Sequence, residues 1–456
     1  SEMCIRDRAS ADWVEMCLPS EVVRGVPPAG TVWLPECSYR EMTEWVLPPA
    51  AQGALRQARV GAASDPRLSA VAPFIRGGSW RNFRLRYPEA NEMYARAMAV
   101  SDRLERLRRS GDADPGILEE ATTALHRGQC NCAYWHGAFG GIYLPHLRNA
   151  VYSRLIEADT LLDRAARHAT GAERETQAPR IEVVARDWDF DGRTEIRVSN
   201  GPFDAWLAPA RGGILYELDL RDQRHNLLAT LDRRPEAYHA EVLAGPGVAR
   251  SIIDAAQPAK FKEEGLDRFV RHDPARRKML VDHFWDVDVD PEAVADSTAM
   301  ERGDFATGAY EAAVRQDADR VAVVMARTGN AWGIPFTLGK TVSIAARDRT
   351  IDIAYRIEGL PPGFRQHLAV EFNFAGMPAD APGRFFRDAA GRSLGHLGTR
   401  LDLAGATTIG LVDDWVDIDA RLAVSGTPPV GIWTFPIRTV SQSEGGFESV
   451  HQSVVV

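Results

Sequence analysis

The spacing of apolar residues changes once along this chain, and that change constrains its fold more than any other feature. Between residues 91 and 109, apolar or small side chains recur every three or four positions, as at Met93, Ala97 and Val100. The same spacing runs from 145 to 165. Such a period places one buried stripe on each of two helices. The region 9–170 is therefore predicted to be mostly helical.

Beyond residue 180 the apolar period becomes two. The runs 341–344 and 350–355 alternate polar and apolar residues, and Gly, Asn, Asp and Pro interrupt such runs at short intervals. This pattern is typical of antiparallel sheets. We predict an α+β multidomain chain in which a large antiparallel β-sandwich occupies residues 180–456.

Two stretches depart from these patterns. Residues 171–179 are polar and end in Pro, which indicates a linker between the helical and β regions. The stretch near 235–285 is charged and breaks the alternation. It is predicted to be a partly helical insertion carried on the sandwich.

The two ends carry expectations of their own. Residues 1–8 resemble a translated sequencing-adapter scar and are set aside as non-native. The chain stops within the β-branched run 453–456. We therefore expect the sandwich to be truncated at its end.

Composition excludes several classes of protein. Hydrophobic residues make up 45% and charged residues 26%, which is a globular balance and argues against a wholly disordered chain. No apolar run reaches the length of about 18 residues that a membrane span needs, so no membrane association is expected. The net charge is −9 and basic stripes are short, as at 103–109, which disfavours nucleic acid as a partner.

Cysteine and tryptophan usage adds two further expectations. The five cysteines are odd in number and lie in the first third of the chain, which favours reduced thiols and a cytoplasmic location over a disulfide framework. The 11 tryptophans are numerous, and a flat indole face stacks well on a sugar ring. The number of tryptophans therefore makes a carbohydrate a candidate ligand.

The densest polar and aromatic cluster lies between residues 129 and 137. Asn131, Tyr134, Trp135 and His136 combine a hydrogen-bonding amide, two stacking faces and an imidazole, as a sugar subsite requires. Nearby glycines allow close approach of the backbone. The alternative is a loop whose aromatic residues pack between helices.

A zinc site in the same segment is disfavoured. His126, Cys130, Cys132 and His136 are the residue types that bind zinc. However, residues two apart point in opposite directions on a strand and nearly so on a helix. We therefore predict no metal ligands there.

Two further segments offer candidate sugar contacts. Trp80 and Asn82 suit a sugar, although a solvated loop over the core is the alternative. Trp45 follows Glu41 and Glu44 at helical spacing, and for the two glutamates charge on a helix face is the favoured interpretation.

The segment Asp187-Trp188-Asp189-Phe190-Asp191-Gly192 resembles the start of a calcium loop. An EF-hand needs Glu at loop position twelve, and that position is Val198 here. A turn before a strand is therefore favoured, a calcium loop is the alternative, and no metal ligand is assigned.

The segment 129–148 closely resembles the fifth conserved region of glycoside hydrolase family 57, in its 4-α-glucanotransferase and α-amylase branch. Segments 34–45, 76–89 and 436–444 resemble the same family, and the four occur in the family's order. The resemblance extends from about residue 30 to the end of the chain.

This resemblance implies an incomplete (β/α) barrel, a helical region that closes the active site, and a galactose-mutarotase-like β-sandwich, of which this chain holds the last two. It also implies a retaining mechanism whose nucleophilic Glu and acid/base Asp sit in upstream barrel motifs. Glu36 mimics the nucleophile motif, but its neighbours match the later helical segment, so it is rejected. Cys132 stands where glucanotransferase relatives carry Asp, and a thiol cannot act as a charged acceptor for sugar hydroxyls.

We therefore expect a fragment of a retaining enzyme that acts on an α-glucan or maltooligosaccharide, without a cofactor and inactive alone. It contributes the wall of the substrate cleft and the sandwich, and it contains no catalytic residue. The expected substrate-binding residues are Asn131, Tyr134, Trp135, His136, Trp80 and Trp45. The alternative is a non-catalytic carbohydrate-binding or scaffold protein that has no barrel.

Overall fold

A computed structural model describes most of the chain. The described residues are 12–13, 15–33, 39–135, 140–169, 181–246, 260–376, 378–426, 430–443 and 445–456. The scar at 1–8, the linker at 171–179, Glu36 and His136 lie outside them. The chain divides into two compact units, Ser1–Tyr39 and Arg40–Val456.

The first unit contains the short helix α1, Pro19–Gly25. Its first position is Pro, whose missing N–H costs nothing at a helix start. The Leu18 amide donates to a Glu21 carboxylate oxygen at 2.6 Å, which satisfies one more donor there. Every side chain of α1 is exposed.

The second unit begins with helices. Their bounds are α2 Arg40–Trp45, α3 Pro49–Ser64, α4 Trp80–Arg86, α5 Pro88–Ser110, α6 Pro115–Gly128 and α7 Pro145–Ala169. Short 3₁₀ turns occupy Ala72–Phe74, Asn131–Ala133 and Gly141–Tyr143. Among the described residues, none of the helices is long and apolar enough to cross a membrane.

The two predicted apolar stripes are confirmed. On α5, Met93, Ala97 and Val100 are buried. On α7, Leu155 and Leu162 are buried as well. These stripes form one hydrophobic cluster with residues of α2, α4 and α6. Full burial of one such large apolar side chain contributes about 1.5–3 kcal/mol, which explains why the spacing predicts the helices.

The rest of the second unit is mostly antiparallel sheet. The first sheet contains β1 Glu182–Arg186, β2 Glu195–Ser199, β3 Phe203–Ala208, β4 Ile214–Leu220 and β5 His225–Asn226, in that order. A second sheet has the order β10-β9-β8-β7, from β7 Glu311–Gln316, β8 Arg320–Ala331, β9 Ile334–Ala345 and β10 Ile351–Glu358. Strand β6 Val281–Trp285 pairs with β11 His367–Glu371.

Two more four-stranded sheets complete this part. One has the order β12-β19-β18-β15, from β12 Asn373–Ala375, β15 Leu401–Ala404, β18 Gly431–Ser443 and β19 Gly446–Val455. The other has the order β14-β13-β16-β17, from β13 Arg384–Arg387, β14 Ser393–His396, β16 Thr408–Asp413 and β17 Ile418–Ala423. Residues from all five groups of strands share one hydrophobic core.

The predicted alternation is confirmed in β9, where Val342 and Ile344 are buried and the intervening Ser343 is partly exposed. The predicted fold class, a helical region followed by antiparallel sheets, is therefore confirmed. Its boundaries at 170 and 180 lie outside the described residues and stay a prediction.

The charged stretch 235–285 is only partly described. It contains the helix α8 His239–Ala244 and a 3₁₀ turn at Leu266–Phe269. Its last five residues form β6 and so belong to a sheet. A further short helix, α9 Pro291–Ala295, follows.

Candidate substrate-binding site

Two of the predicted sugar-binding tryptophans contact each other. Trp45 ends α2 and Trp135 follows the 3₁₀ turn Asn131–Ala133, and their ring centroids lie 5.9 Å apart with a tilt of 32°. Trp45 is buried and Trp135 half-buried. A ring pair of this kind contributes about 0.5–1.5 kcal/mol beyond its buried area. The contact brings the two predicted segments together.

The loop before α4 reaches α2 through a glycine. A Cβ on Gly77 would lie 2.2 Å from the Thr43 carbonyl oxygen, so only glycine allows this approach. The loop leads directly into Trp80, the first residue of α4.

Trp80 lies at one end of an aromatic stack along α4. Its ring lies 5.5 Å from that of Phe83, and the Phe83 ring lies 4.4 Å from that of Tyr87, at angles of 15° and 21°. Phe83 and Tyr87 are fully buried, whereas Trp80 is half-buried. The exposed Asn82 side chain has a local role, because its Oδ1 accepts from the Ser79 amide at 2.9 Å and caps the helix start.

In the Asn131–Tyr134 turn, the polar candidate residue is exposed and the aromatic one is buried. Asn131 and Cys132 are exposed. Tyr134 is buried, and its hydroxyl donates to the Gly128 carbonyl at 2.7 Å. Burial raises the pKa of Tyr134. Tyr134 therefore holds the turn to the end of α6, and Asn131 remains as the accessible polar group.

Glu236 is a buried residue that the sequence did not single out. The hydroxyls of Tyr87 and Tyr143 donate to its Oε1 at 2.7 and 2.8 Å, and Arg86 Nη2 lies 3.3 Å from its Oε2. Burial, and then the Glu236 charge, raise the pKa of both tyrosines well above the usual value. Glu236 thus anchors the inner end of the aromatic stack. Only its position in a charged stretch could have suggested a role.

The candidate carboxylates of α2 are neutralised or open to solvent. Glu44 contacts Arg59 and lies 3.2 Å from Arg56 Nε, both on α3, and Glu41 is exposed. The two glutamates thus belong to a salt-bridged and solvated helix face.

A second pair of acids is buried where α5 meets the first sheet. Glu217 and Asp219 lie on β4, and Arg96 of α5 donates to them at 3.0 and 3.3 Å. Burial and the neighbouring Asp219 raise the pKa of Glu217 well above its usual value, and burial raises the pKa of Asp219 to about 6. Asp159 of α7 also accepts from Arg96, at 3.0 Å. This is an ion-pair network between helices and sheet rather than an acid pair open to a substrate.

The cysteines do not assemble a metal site in the described part of the chain. Cys130 and Cys132 are free and exposed. Among the described residues, Asp187, Asp189 and Glu195 form the one group of three side chains that could hold a metal ion. Of these three residues, Glu195 lies outside the predicted calcium-loop segment 187–192.

A sequence profile described as alpha-amylase/4-alpha-glucanotransferase, C-terminal, matches residues 187–456, and the profile of the middle domain of the same proteins matches residues 78–162. The chain belongs to the alpha-amylase/4-alpha-glucanotransferase family. The predicted resemblance is confirmed. The middle-domain match includes Trp80, Asn131, Tyr134 and Trp135, whereas Trp45 precedes it.

Relatives in this family carry both names. A 4-alpha-glucanotransferase of Thermococcus kodakarensis is 31% identical over 98% of this chain and 60% of its own length. Alpha-amylase 1 of Dictyoglomus thermophilum is 29% identical over 94% and 58%. The crystal structure of the Thermococcus litoralis 4-alpha-glucanotransferase superposes with a TM-score of 0.70 at 28% identity, covering 99% of this chain and 59% of that one. The chain thus spans about three fifths of the length of these relatives.

Proposed function

We propose that the whole protein acts on α-glucans, as a 4-α-glucanotransferase or an α-amylase, and that this chain supplies part of the substrate cleft. The family assignment and the names of its relatives support this substrate class. The two names occur at nearly equal identity, 31% and 29%, so similarity supports the glucan substrate rather than a choice between transfer and hydrolysis.

The contact between Trp45 and Trp135 carries the proposal. It places two indoles from segments far apart in sequence beside the turn that exposes Asn131. Aromatic faces suit the apolar faces of glucose rings, and an amide both donates to and accepts from hydroxyls. In this proposal Trp135 and Asn131 contact the glucan. Trp45 packs against the Trp135 ring, and Tyr134 holds the turn that carries Asn131. Trp80 provides a second stacking face, and His136 completes the predicted set.

The described carboxylates support a binding role rather than bond cleavage. A retaining mechanism needs two carboxyl groups about 5–5.5 Å apart across the scissile bond. Glu217 and Asp219 are buried against Arg96, Glu236 accepts from two tyrosines, and Glu44 is paired with arginines. The nucleophile and the acid/base are proposed to lie in barrel segments that the family carries upstream.

Calorimetric titration with maltoheptaose tests the binding site. We expect saturable binding by the 456-residue chain, weakened about tenfold in Trp135→Ala, because one stacked ring contributes about 1–1.5 kcal/mol. Asn131→Ala should weaken binding without loss of stability, since its side chain is exposed. The control is Trp415→Ala, which removes an indole that is 73% exposed on the turn between β16 and β17.

Unchanged affinity in both Trp135→Ala and Asn131→Ala would contradict the proposed site, as would the absence of binding by the unaltered chain. A non-catalytic carbohydrate-binding or scaffold protein is the competing function. Sequencing the DNA upstream of codon 9 distinguishes these two functions. An in-frame barrel carrying the missing carboxylates supports the enzyme, and a promoter followed by a start codon supports the scaffold.

A further inference from the structure

The loop between β1 and β2 folds back on itself through its aspartates. The Asp187 carboxylate accepts from the amides of Asp191 and Gly192 at 3.2 and 3.0 Å, and Asp191 Oδ1 accepts from the Arg193 amide at 2.8 Å. Gly192 has a φ of +84°, a left-handed conformation that glycine adopts without strain. The predicted turn before a strand is therefore present, and it brings the chain back towards Asp187, where the loop begins.

This turn brings three carboxylates together. One oxygen from each of Asp187, Asp189 and Glu195 lies within 4.8 Å of the other two. Calcium binds oxygen ligands at 2.3–2.6 Å, so ligands on opposite sides of the ion are about 4.6–5.2 Å apart. Magnesium, at 2.0–2.1 Å, brings opposite ligands to about 4.2 Å and demands a stricter octahedral geometry. Three oxygens within 4.8 Å of one another can accommodate either ion, and calcium is the one proposed because it tolerates a less regular geometry.

Two of these side chains are buried, and each has one carboxylate oxygen without a hydrogen bond in the described part of the chain. Glu195 is 0% exposed and Asp189 is 4% exposed. Within the described part of the chain, Glu195 Oε1 and Asp189 Oδ1 have no hydrogen-bond partner. A buried carboxylate oxygen without a donor or cation is costly, so an unpaired oxygen on each of two adjacent acids indicates a missing positive partner.

The remaining contacts hold the two acids in place. Glu195 Oε2 accepts from the Trp188 amide at 2.9 Å, and Asp189 Oδ2 lies 2.7 Å from Arg211 Nη2. The Asp189 carbonyl accepts from Asn91 of α5 at 2.8 Å. The loop is thus fixed to a long helix on one side and to the first sheet on the other.

The charge near the cluster is negative. Asp191 adds a fourth carboxylate, against Arg211 and Arg193, and the Arg193 side chain donates to the Ala210 carbonyl instead of a carboxylate. Arg211 pairs with Asp189, and one guanidinium leaves an excess of acidic groups over cationic ones around the cluster. A divalent cation fits this excess.

We propose that Asp187, Asp189 and Glu195 bind a calcium ion that fixes the β1–β2 loop between α5 and the first sheet. Water completes the coordination on the Asp187 side, which is open to solvent. An EF-hand would place its acid at position twelve, which is Val198 here, whereas the converging acid is Glu195, at position nine of the same count. The site is independent of the proposed glucan site.

Thermal unfolding and calorimetry of the EDTA-treated 456-residue chain test the site. We expect 1 mM calcium to raise Tm by at least about 2 °C, because an ion that binds only the folded state stabilises it, and equal magnesium to raise it less. Terbium should replace calcium and luminesce on tryptophan excitation, since Trp188 lies within the loop.

Two variants and a control separate ion binding from folding. Glu195→Gln and Asp189→Asn should each weaken calcium binding at least tenfold, and Glu195→Gln should keep the metal-free Tm or raise it, because it removes a buried charge. Asp288→Asn, at an exposed aspartate outside the loop, should retain the full calcium response. The proposal is overturned if calcium leaves Tm and terbium luminescence unchanged, or if both loop variants keep the unaltered chain's affinity.

Discussion

Arg148 of α7 donates through Nη2 to Gln452 Oε1 of β19 at 2.7 Å, across 304 positions of sequence. Its Nε donates to the Ala229 carbonyl at 3.0 Å, and Nη1 donates to the Ile142 carbonyl. Gln452 in turn donates to the Tyr143 carbonyl at 2.8 Å. Arg148 is buried, and burial lowers its pKa to about 10. One guanidinium thus joins the helical core to the last strand through neutral acceptors.

Replacing Arg148 should therefore destabilise both parts together. In Arg148→Met the acceptors on Ala229, Ile142 and Gln452 lose a buried donor, and each unpaired group costs about 1–3 kcal/mol before relaxation. We expect the free energy of unfolding in urea to fall by about 3 kcal/mol, in a single transition. Arg81→Met, at an exposed position, is the control and should change it by less than about 0.5 kcal/mol. A loss for Arg148→Met as small as that of the control would contradict this role.

His283 makes stability depend on pH. Burial alone would lower its pKa, but Glu301, 2.8 Å from Nδ1, and Glu371, 3.4 Å from Nε2, outweigh burial and raise the pKa to about 9. A raised histidine pKa stabilises the folded state fully below the unfolded value of about 6.5, and this stabilisation is lost as pH rises through about 9. The free energy of unfolding should thus fall by up to about 3 kcal/mol over that range.

The test compares urea unfolding at pH 6 and pH 9.5. His283→Gln should remove most of the difference between the two values, while His272→Gln, at an exposed histidine, should keep it. An equal pH dependence in both variants would assign the effect to other groups.

Cys132 offers a gain-of-function test of the glucan site. The family resemblance predicts Asp at this position in glucanotransferase relatives, and Cys132 is exposed on the turn that also presents Asn131. Cys132→Asp adds a charged acceptor for sugar hydroxyls, so maltoheptaose should bind about three- to tenfold more tightly, with stability unchanged. Cys130→Asp, two residues earlier and also exposed, should not improve binding. Equal effects of the two substitutions would indicate that charge near the turn, rather than position 132, matters.

Local patterns predicted the fold, whereas the arrangement of the candidate site depends on contacts between distant segments. The stripe of Met93, Ala97 and Val100 and the alternation around Val342 reflect burial of neighbouring positions, which sequence spacing reports directly. The helix cap made by Asn82 is also local, and the Ser79-x-x-Asn82 spacing could have predicted it.

The long-range contacts could not be predicted in this way. Glu236 accepts hydrogen bonds from Tyr87, 149 positions away in sequence, and from Tyr143, 93 positions away. No local periodicity predicts such contacts. The sequence pointed to Tyr134 as a sugar contact because of its residue type, whereas packing directs its hydroxyl to Gly128. Residue type pointed to these segments, and tertiary packing decides which of their side chains are accessible.

We propose that these residues bind an α-glucan but do not cleave it. To test this, the purified 456-residue chain is incubated with maltoheptaose under saturating conditions. Binding is measured by calorimetry, and products are measured by chromatography. We expect saturable binding, and neither shorter nor longer oligosaccharides above the level of a heat-denatured sample. Product formation that is abolished by Glu236→Gln or by any other single carboxylate substitution within this chain would contradict it.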